Sequence, residues 1–123
     1  MRLFLVIGLT LSLSSCYEPE RNCNYFRTGT FEVQTVEGTE LFSSRIVRND
    51  SIEIDYFRGK IDTSSVRWIN DCEYIVKKLN PRNLAEQKAI HIKILTTNGN
   101  EFIFEFSEVG NAKKRKATAK KID

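Results

Sequence analysis

The sequence predicts an all-β fold, an antiparallel up-and-down meander of about eight strands that closes into a small barrel over residues 29–123. From Gly29 onward apolar and polar residues alternate with a period of two, which is typical of half-buried strands, and no long helical stripe appears. The alternating segments are short and are separated by turn residues, so consecutive segments are expected to pair as hairpins. Closure into a barrel removes the two unpaired edges that an open meander would leave.

The length and composition agree with one folded domain. The chain has 123 residues, of which 41% are hydrophobic and 28% are charged, and its formal net charge is +3. This charge is too small to indicate nucleic-acid binding by itself. Three cysteines are the unusual feature, because an odd number cannot pair evenly.

The first fifteen residues have the layout of an export signal. Arg2 is followed by an apolar run that ends near Leu13, which is too short to span a bilayer as a stable helix. The segment Leu13-Ser14-Ser15-Cys16 resembles the bacterial lipobox, in which an aliphatic residue and two small residues precede a cysteine. That resemblance implies cleavage before Cys16 and acylation of both its thiol and its new amino group. A plain secretory signal with a chance cysteine is the alternative.

This processing predicts a lipoprotein signal peptide over residues 1–15 and a lipidated cysteine with its tether over residues 16–28. The product is expected in the bacterial cell envelope, as a monomer held to the outer membrane by the lipid on Cys16. Without the signal the formal net charge falls to +2, and the cysteines that remain are Cys23 and Cys72. Because that compartment is oxidising, we predict a disulfide bond between them. A pair of buried free thiols is the alternative.

The first hairpin is predicted from matching apolar faces. Gly38-Thr39 suits a two-residue turn with glycine first. The register that follows sets Phe31 opposite Ile46 and Thr35 opposite Phe42, so that the apolar sides of both strands face the interior.

The third strand is predicted to carry Ile52, Ile54 and Tyr56 on its inner face, alternating with Glu53 and Asp55 on the solvent face. A three-residue loop over 49–51 would produce this arrangement and set Arg45 opposite Asp55. A register shifted by one residue would bury a carboxylate, which costs free energy. We therefore expect the register that keeps both carboxylates in solvent.

Four further pairs bring apolar residues together in strands four to seven. They are Val66 with Val76, Trp68 with Tyr74, Ile92 with Phe106, and Ile94 with Phe104. The last hairpin contains a conflict, because Asn98-Gly99 alone favours a two-residue type I′ turn that would set Ile92 opposite Glu105. We expect the register that matches the apolar faces of the two strands, which requires a three-residue loop, Asn98-Gly99-Asn100.

Two segments are less regular. Residues 79–89 contain Pro81 and read as one long loop with at most a single helical turn. Residues 115–122 read either as a closing strand, since Ala117 and Ala119 alternate with polar residues, or as a free basic tail. The six basic residues between positions 113 and 121 could bind anionic lipid headgroups, or they could form a solvated edge strand. The segment contains no aromatic residue, so it does not predict nucleic-acid binding.

Three stretches of the chain, CNYFRTGTFEV, IVRNDSIEIDYF and VRWINDCEYIV, resemble small lipoproteins of the Bacteroidota that have a lipocalin-like barrel. The resemblance covers most of the chain after the signal and implies a lipocalin-like fold with no assigned activity. Some relatives carry a DNA topoisomerase label, which this chain is too short to support. Asp50-Ser51-Ile52 also fits the Asp-Ser/Thr-aliphatic pattern of O-glycosylation in these bacteria, and it falls at an expected exposed hairpin.

Catalytic and metal-binding patterns are few. The only histidine, His91, is predicted to face outward beside Ser107, so neither a Ser/His/Asp set nor a His/Cys metal site can be assembled. The chain contains no Gly-rich phosphate loop. We therefore expect no enzymatic activity, no metal and no cofactor.

The predicted inner face carries the candidate ligand site. Its aromatic residues are Phe31, Phe42, Tyr56, Trp68, Tyr74, Phe102, Phe104 and Phe106. They could line a pocket for a small apolar ligand, or fill the barrel to ordinary packing density. Arg48 is predicted to point inward near the end of its hairpin, where it could bind a ligand carboxylate or extend to solvent at the rim.

The candidate ligand-binding residues are Arg48, Tyr56, Trp68, Tyr74 and Phe104. The predicted function is that of a lipid-anchored envelope lipoprotein that binds a small apolar ligand inside its barrel. The alternative is an envelope structural or protein-interaction module whose core is fully packed.

Overall fold

A computed structural model describes residues 21–123, in which eight antiparallel strands form a closed barrel. The strands are β1 (Gly29–Glu37), β2 (Glu40–Arg48), β3 (Ile52–Phe57), β4 (Lys60–Asn70), β5 (Glu73–Lys78), β6 (Ile90–Asn98), β7 (Glu101–Glu108) and β8 (Arg115–Lys121). Each strand pairs with the next, and β8 pairs with β1. The predicted all-β, up-and-down barrel is therefore confirmed.

One short 3-10 helix, Cys23–Phe26, precedes β1. Within residues 21–123 no helix is long and apolar enough to cross a membrane. The predicted signal peptide, the predicted lipidation site Cys16 and the start of the predicted tether, up to residue 20, lie outside the described residues.

The connections divide the barrel into two ends. The closed end carries the turns around residues 49–51, 71–72 and 99–100, together with the 3-10 helix and the carboxyl terminus. The open end carries the turns around residues 38–39 and 58–59, the loop 79–89 and the connection 109–114. This division arises because an up-and-down meander places successive connections at alternate ends.

The predicted registers of three hairpins are confirmed. In the β1–β2 pair Phe31 lies opposite Ile46 and Thr35 lies opposite Phe42. The predicted apolar pairs of β4 with β5 and of β6 with β7 are also present. In all three hairpins the register brings the apolar faces of both strands to the interior, as the alternating pattern requires.

The β6–β7 hairpin combines the predicted faces with a tight turn by means of a β-bulge. Ile94 pairs with Phe104 and Thr96 pairs with Ile103, so Leu95 is an extra residue without a partner. The extra residue allows a two-residue turn, Gly99-Asn100, in place of the predicted three-residue loop. The bulge at Leu95 therefore allows the apolar faces of the two strands to match and the turn to remain two residues long.

The predicted register of β2 with β3 is wrong by one residue, so the predicted faces of β3 are inverted. Arg48 lies opposite Glu53, and Arg45 lies opposite Tyr56. Glu53 and Asp55 therefore point into the barrel, whereas Tyr56 lies on the outer surface with the Arg45 guanidinium 5.0 Å from its ring centroid. We expected the other register because it buries no carboxylate, and here Arg48 compensates that burial with an ion pair.

The basic carboxyl-terminal segment forms the strand that closes the barrel. β8 pairs with both β7 and β1, and Ala117 and Ala119 are buried. On its outer face Lys120 lies opposite Glu101 on one side and opposite Glu32 on the other. The closing strand, one of the two predictions for this segment, is confirmed, and its Lys116 and Lys120 lie opposite acidic residues of neighbouring strands.

Residues 79–89 form the one long loop that the sequence predicts. The N–H groups of Gln87 and Lys88 donate to the carbonyls of Leu84 and Ala85, each at 3.3 Å, so the loop contains a single helical turn. The loop crosses the open end, where it covers one side of the barrel mouth.

Candidate functional site

The 3-10 helix seals the closed end of the barrel. Phe26 is fully buried, and its ring centroid lies 4.7 Å from that of Phe102. Cys23 forms a disulfide bond with Cys72 in the β4–β5 turn, with the two Cα atoms 5.3 Å apart. The predicted disulfide is therefore present, and it ties the sealing segment to the wall of the barrel.

Arg48 lies inside this sealed end and is 3% exposed. Its Nε donates to the carbonyl of Arg27 at 3.0 Å, and its Nη2 donates to the carbonyl of Phe26. Its Nη1 donates to Glu53 Oε1 and to the Tyr74 hydroxyl, each at 2.9 Å. The inward direction predicted for Arg48 is correct, but all three of its side-chain nitrogens already bind protein acceptors. It is not available at a mouth for a ligand carboxylate.

Three aromatic rings enclose the Arg48 guanidinium. Its Cζ atom lies 4.6 Å from the ring centroid of Phe31, 4.8 Å from that of Tyr74 and 5.8 Å from that of Trp68. Burial raises the pKa of the Tyr74 hydroxyl well above its usual range, so this hydroxyl stays protonated. We call Arg48, Glu53, Phe31, Trp68 and Tyr74 the Arg48 cluster.

The five predicted ligand-binding residues do not form one pocket. Arg48, Trp68 and Tyr74 belong to the Arg48 cluster and contact one another. Phe104 is 8% exposed and packs between the rings of Phe102 and Phe106. Tyr56 lies on the outer surface, opposite Arg45. The closed half of the barrel is therefore filled by its own side chains.

The open half instead contains a cavity of about 320 Å³ within the barrel mouth. Three aromatic residues supply part of its wall, namely Phe42, Phe57 and Phe106. Hydroxyl groups come from Thr35 and Ser44, and a carboxylate comes from Asp55. Glu37 and Arg115, which form an ion pair, also line the cavity. Phe42 and Phe106 belong to the inner face that the sequence predicts, whereas Asp55 and Phe57 do not.

A second cavity, of about 510 Å³, lies between the loop 79–89 and strands β3 to β5. Asp55 and Phe57 line both cavities, so the two spaces adjoin at these residues. The remaining wall of the second cavity includes Ser64 and Lys78 from the barrel and Glu86 from the loop. Asp55 is thus the carboxylate shared by both spaces.

Asp55 has no counter-ion among the described residues. Its Oδ1 atom is buried and accepts no hydrogen bond from them, and none of their salt bridges includes it. Burial, with smaller contributions from Glu53 and Asp62, raises the pKa of Asp55 to about 6. The Asp55 carboxyl group therefore changes its charge close to neutral pH.

The nearest basic residue on the same wall, Lys78, is bound to other carboxylates. Its Nζ lies 3.5 Å from Asp62 Oδ2 and 3.2 Å from Glu86 Oε1. Arg82 Nη2 donates to Asp62 Oδ1 at 2.9 Å. Hydrogen bonds from the Arg82 backbone N–H and from Lys78 hold the pKa of Glu86 below its usual value. This network fixes the loop over the open end and leaves Asp55 outside it.

Arg58 lies at the lip of the open end, in the β3–β4 turn. It has a positive φ of 48° and is followed by Gly59 at 75°, which matches a type I′ turn. Its guanidinium carbon lies 4.8 Å from the ring centroid of Phe42 and 5.0 Å from that of Phe57. These two rings are therefore in a position to contact a cation.

The remaining candidates from the sequence lie on the surface. His91 is opposite Ser107 as predicted, and its Nε2 lies 3.1 Å from Glu73 Oε1. Ser51 is exposed in the β2–β3 turn, and glycosylation there stays a prediction. Residues 21–123 contain no group of three or more His, Cys, Asp or Glu side chains that could hold a metal ion.

Sequence reasoning missed Asp55 and Phe57 because the expected register placed both on the wrong face. The signal that could have found them is the charge pair Arg48 and Glu53, which lie on either side of the β2–β3 turn and can meet only in the observed register. No family model matches the chain, and neither a curated protein nor a solved structure is significantly similar to it.

Proposed function

We propose that the protein is a lipid-anchored binding protein of the bacterial cell envelope that holds a small organic molecule in the cavity at the open end. The observation that carries the proposal is this cavity of about 320 Å³, which combines three aromatic rings with a half-buried carboxylate that has no partner among the described residues. Small-molecule sites are typically concave, roughly 300–1,000 Å³ in volume, and mostly apolar with a few polar groups. The aromatic residues of the closed half are instead buried and packed against one another.

The position of the amino-terminal segment supports this arrangement. Arg21 Nη1 donates to the carbonyl of Ile94 at 3.0 Å, and the Asn22 N–H donates to Thr97 Oγ1 at 2.9 Å, so the segment enters at the closed end. The chain from Cys16 to Arg21 can span at most about 18 Å. A lipid on Cys16 would therefore hold the closed end towards the membrane and leave the open end facing the aqueous phase.

The disulfide bond between Cys23 and Cys72 agrees with an exported protein, because such bonds persist in oxidising compartments and are rare in the cytosol. The anchor is tested by expressing the chain with Cys16→Ser. We expect the native protein to fractionate with the membrane and to carry acyl mass, and the variant to lose both properties. Membrane association without acyl mass would contradict the anchor.

Ligand binding is tested on the full chain purified from its own cells in mild detergent. We expect native mass spectrometry to detect a non-covalent small molecule that is lost in Phe57→Ala and retained in Tyr56→Ala. These adjacent residues form a matched pair, since Phe57 lines the cavity and Tyr56 lies on the outer wall. A protein without bound mass, and without thermal stabilisation by any member of a small-molecule panel, would contradict the proposal.

The alternative is a protein-interaction module, and exposed apolar residues at the open end favour it. Val36, Leu41, Ile61 and Leu84 are each more than half exposed around this end. Crosslinking in intact cells distinguishes the two functions. An interaction module would give a specific crosslinked partner that is lost in Leu41→Ser, whereas a ligand-binding protein would not require one.

A further inference from the structure

We propose that the ligand of the open-end cavity is an organic cation, either an amine or a quaternary ammonium compound. Its charge is held by the Asp55 carboxylate and its apolar part by the rings of Phe42, Phe57 and Phe106. This inference rests on the proposed function, because it names the chemical class of the ligand in the same cavity.

Asp55 lacks a counter-ion among the described residues. Charged groups removed from water are normally paired, because an unpaired buried charge is costly. The same barrel follows this rule at its other end, where the buried Glu53 carboxylate is 2.9 Å from Arg48 Nη1. Asp55 Oδ1 is buried and has neither a hydrogen-bond donor nor a basic partner among the described residues. A bound cation would supply the partner that the chain does not.

The charged groups around Asp55 do not neutralise it. The charged groups that face the two cavities, or lie at their lip, come from seven parts of the chain, and they are Glu37, Glu53, Arg58, Asp62, Lys78, Glu86, Lys88 and Arg115. Lys78 is paired with Asp62 and Glu86, Lys88 with Glu108, and Arg115 with Glu37. Arg58 lies over aromatic rings and not beside a carboxylate. The cavity therefore keeps an uncompensated negative charge at Asp55.

The closed end of the same barrel already binds a cation with similar groups. The Arg48 cluster surrounds a cation with one carboxylate and three aromatic rings, at 4.6 to 5.8 Å from the guanidinium carbon to the ring centroids. The open-end cavity also brings a carboxylate, that of Asp55, together with three rings, but the basic side chain in its lining, Arg115, is paired with Glu37, and none of the described basic residues pairs with Asp55. Arg58, above Phe42 and Phe57, shows that two of these rings accept a cation from the solvent side.

The test uses the full chain in mild detergent and two probes of equal size and different charge, 2-phenylethylamine and 2-phenylethanol. At pH 7.5 we expect the amine to bind about tenfold or more tightly than the alcohol, measured by isothermal titration calorimetry. Asp55→Asn should abolish this preference while leaving binding of the alcohol unchanged. Asp71→Asn, an exposed carboxylate at the closed end, is the matched control and should leave both affinities unchanged.

A second measurement needs no variant. Because the Asp55 carboxyl group has a pKa of about 6, the fraction in the charged form falls about tenfold between pH 7 and pH 5. The affinity for 2-phenylethylamine should fall by about the same factor over this range, and the affinity for 2-phenylethanol should not change. A pH-independent preference for the amine would overturn the role of Asp55.

The outcomes separate the two proposals. Equal affinity for both probes in the native protein, or a preference that persists in Asp55→Asn, would overturn the cation inference and leave the binding function standing. Absence of binding by both probes and by the wider small-molecule panel would overturn the binding function and the inference together. A preference for the amine that depends on Asp55 and on pH would support both.

Discussion

The two ends of the barrel contain similar groups and differ in whether the chain supplies the cation. At the closed end Glu53 and three rings surround Arg48, and the 3-10 helix covers them. At the open end Asp55 and three rings border a cavity, and no described basic residue pairs with the carboxylate. A carboxylate surrounded by aromatic rings stabilises the fold where a side chain of the protein supplies the cation, as Arg48 does. Where no side chain supplies the cation, the same groups favour binding of one from solution.

The largest change in the free energy of unfolding is expected when the internal cation, Arg48, is removed. Arg48→Met leaves Glu53 buried without a partner and should lower the free energy of unfolding by about 3–5 kcal/mol, measured by urea denaturation. The double variant Arg48→Met with Glu53→Gln should recover part of this loss, because the uncompensated charge is gone. A loss below about 1 kcal/mol in the single variant would show that the Arg48 cluster is not the main support of the closed end.

The disulfide should have the next largest effect. Replacing both Cys23 and Cys72 with Ala should lower the free energy of unfolding by about 2–4 kcal/mol, because the cross-link no longer restricts the unfolded chain. If the two ends are independent, the probe affinities at the open end should not change. A parallel loss of 2-phenylethylamine binding would show that the seal at one end shapes the cavity at the other.

Asp55→Asn should raise the free energy of unfolding, whereas the closed-end variants lower it. Folding raises the pKa of Asp55, so ionisation of this group destabilises the folded state. The resulting loss in the free energy of unfolding develops from about pH 4 to pH 6 and persists at higher pH. With allowance for its partial exposure to solvent, we expect the variant to be more stable by about 1 kcal/mol at pH 8. At pH 4 the two proteins should have similar stability. Urea denaturation at both pH values checks the sign, and a less stable variant at pH 8 would contradict an unpaired Asp55.

The smallest effect is expected at the lip of the open end. Arg58 has a positive φ of 48°, which asparagine tolerates better than arginine. Arg58→Asn should therefore raise the free energy of unfolding by less than about 1 kcal/mol, seen as a small upward shift in thermal denaturation. The variant also removes a cation from the faces of Phe42 and Phe57, so 2-phenylethylamine should bind at least as well. Weaker binding of the amine would mean that Arg58 is part of the site.

The candidate site could be predicted only in part from the sequence. Phe42 and Phe106 were assigned to the interior because strong apolar alternation defines the faces of β2 and β7. Asp55 and Phe57 were not, because β3 alternates isoleucine with carboxylates and its pattern favours the opposite face. Arg48 was correctly placed inside, but its partners come from three other parts of the chain. The burial of Arg48 among these partners could not be inferred from the sequence of β2 alone.

The sequence by itself determined the all-β fold and the order in which the strands pair. These features depend on the two-residue period of the side chains and on short turns, which are local properties of the chain. The tertiary structure alone decided which face of β3 points inward. A shift of one residue inverts that face, and its free energy depends on whether a buried Glu53 meets Arg48 and Tyr74 from neighbouring parts of the barrel. That one register leaves Asp55 at the cavity without a partner.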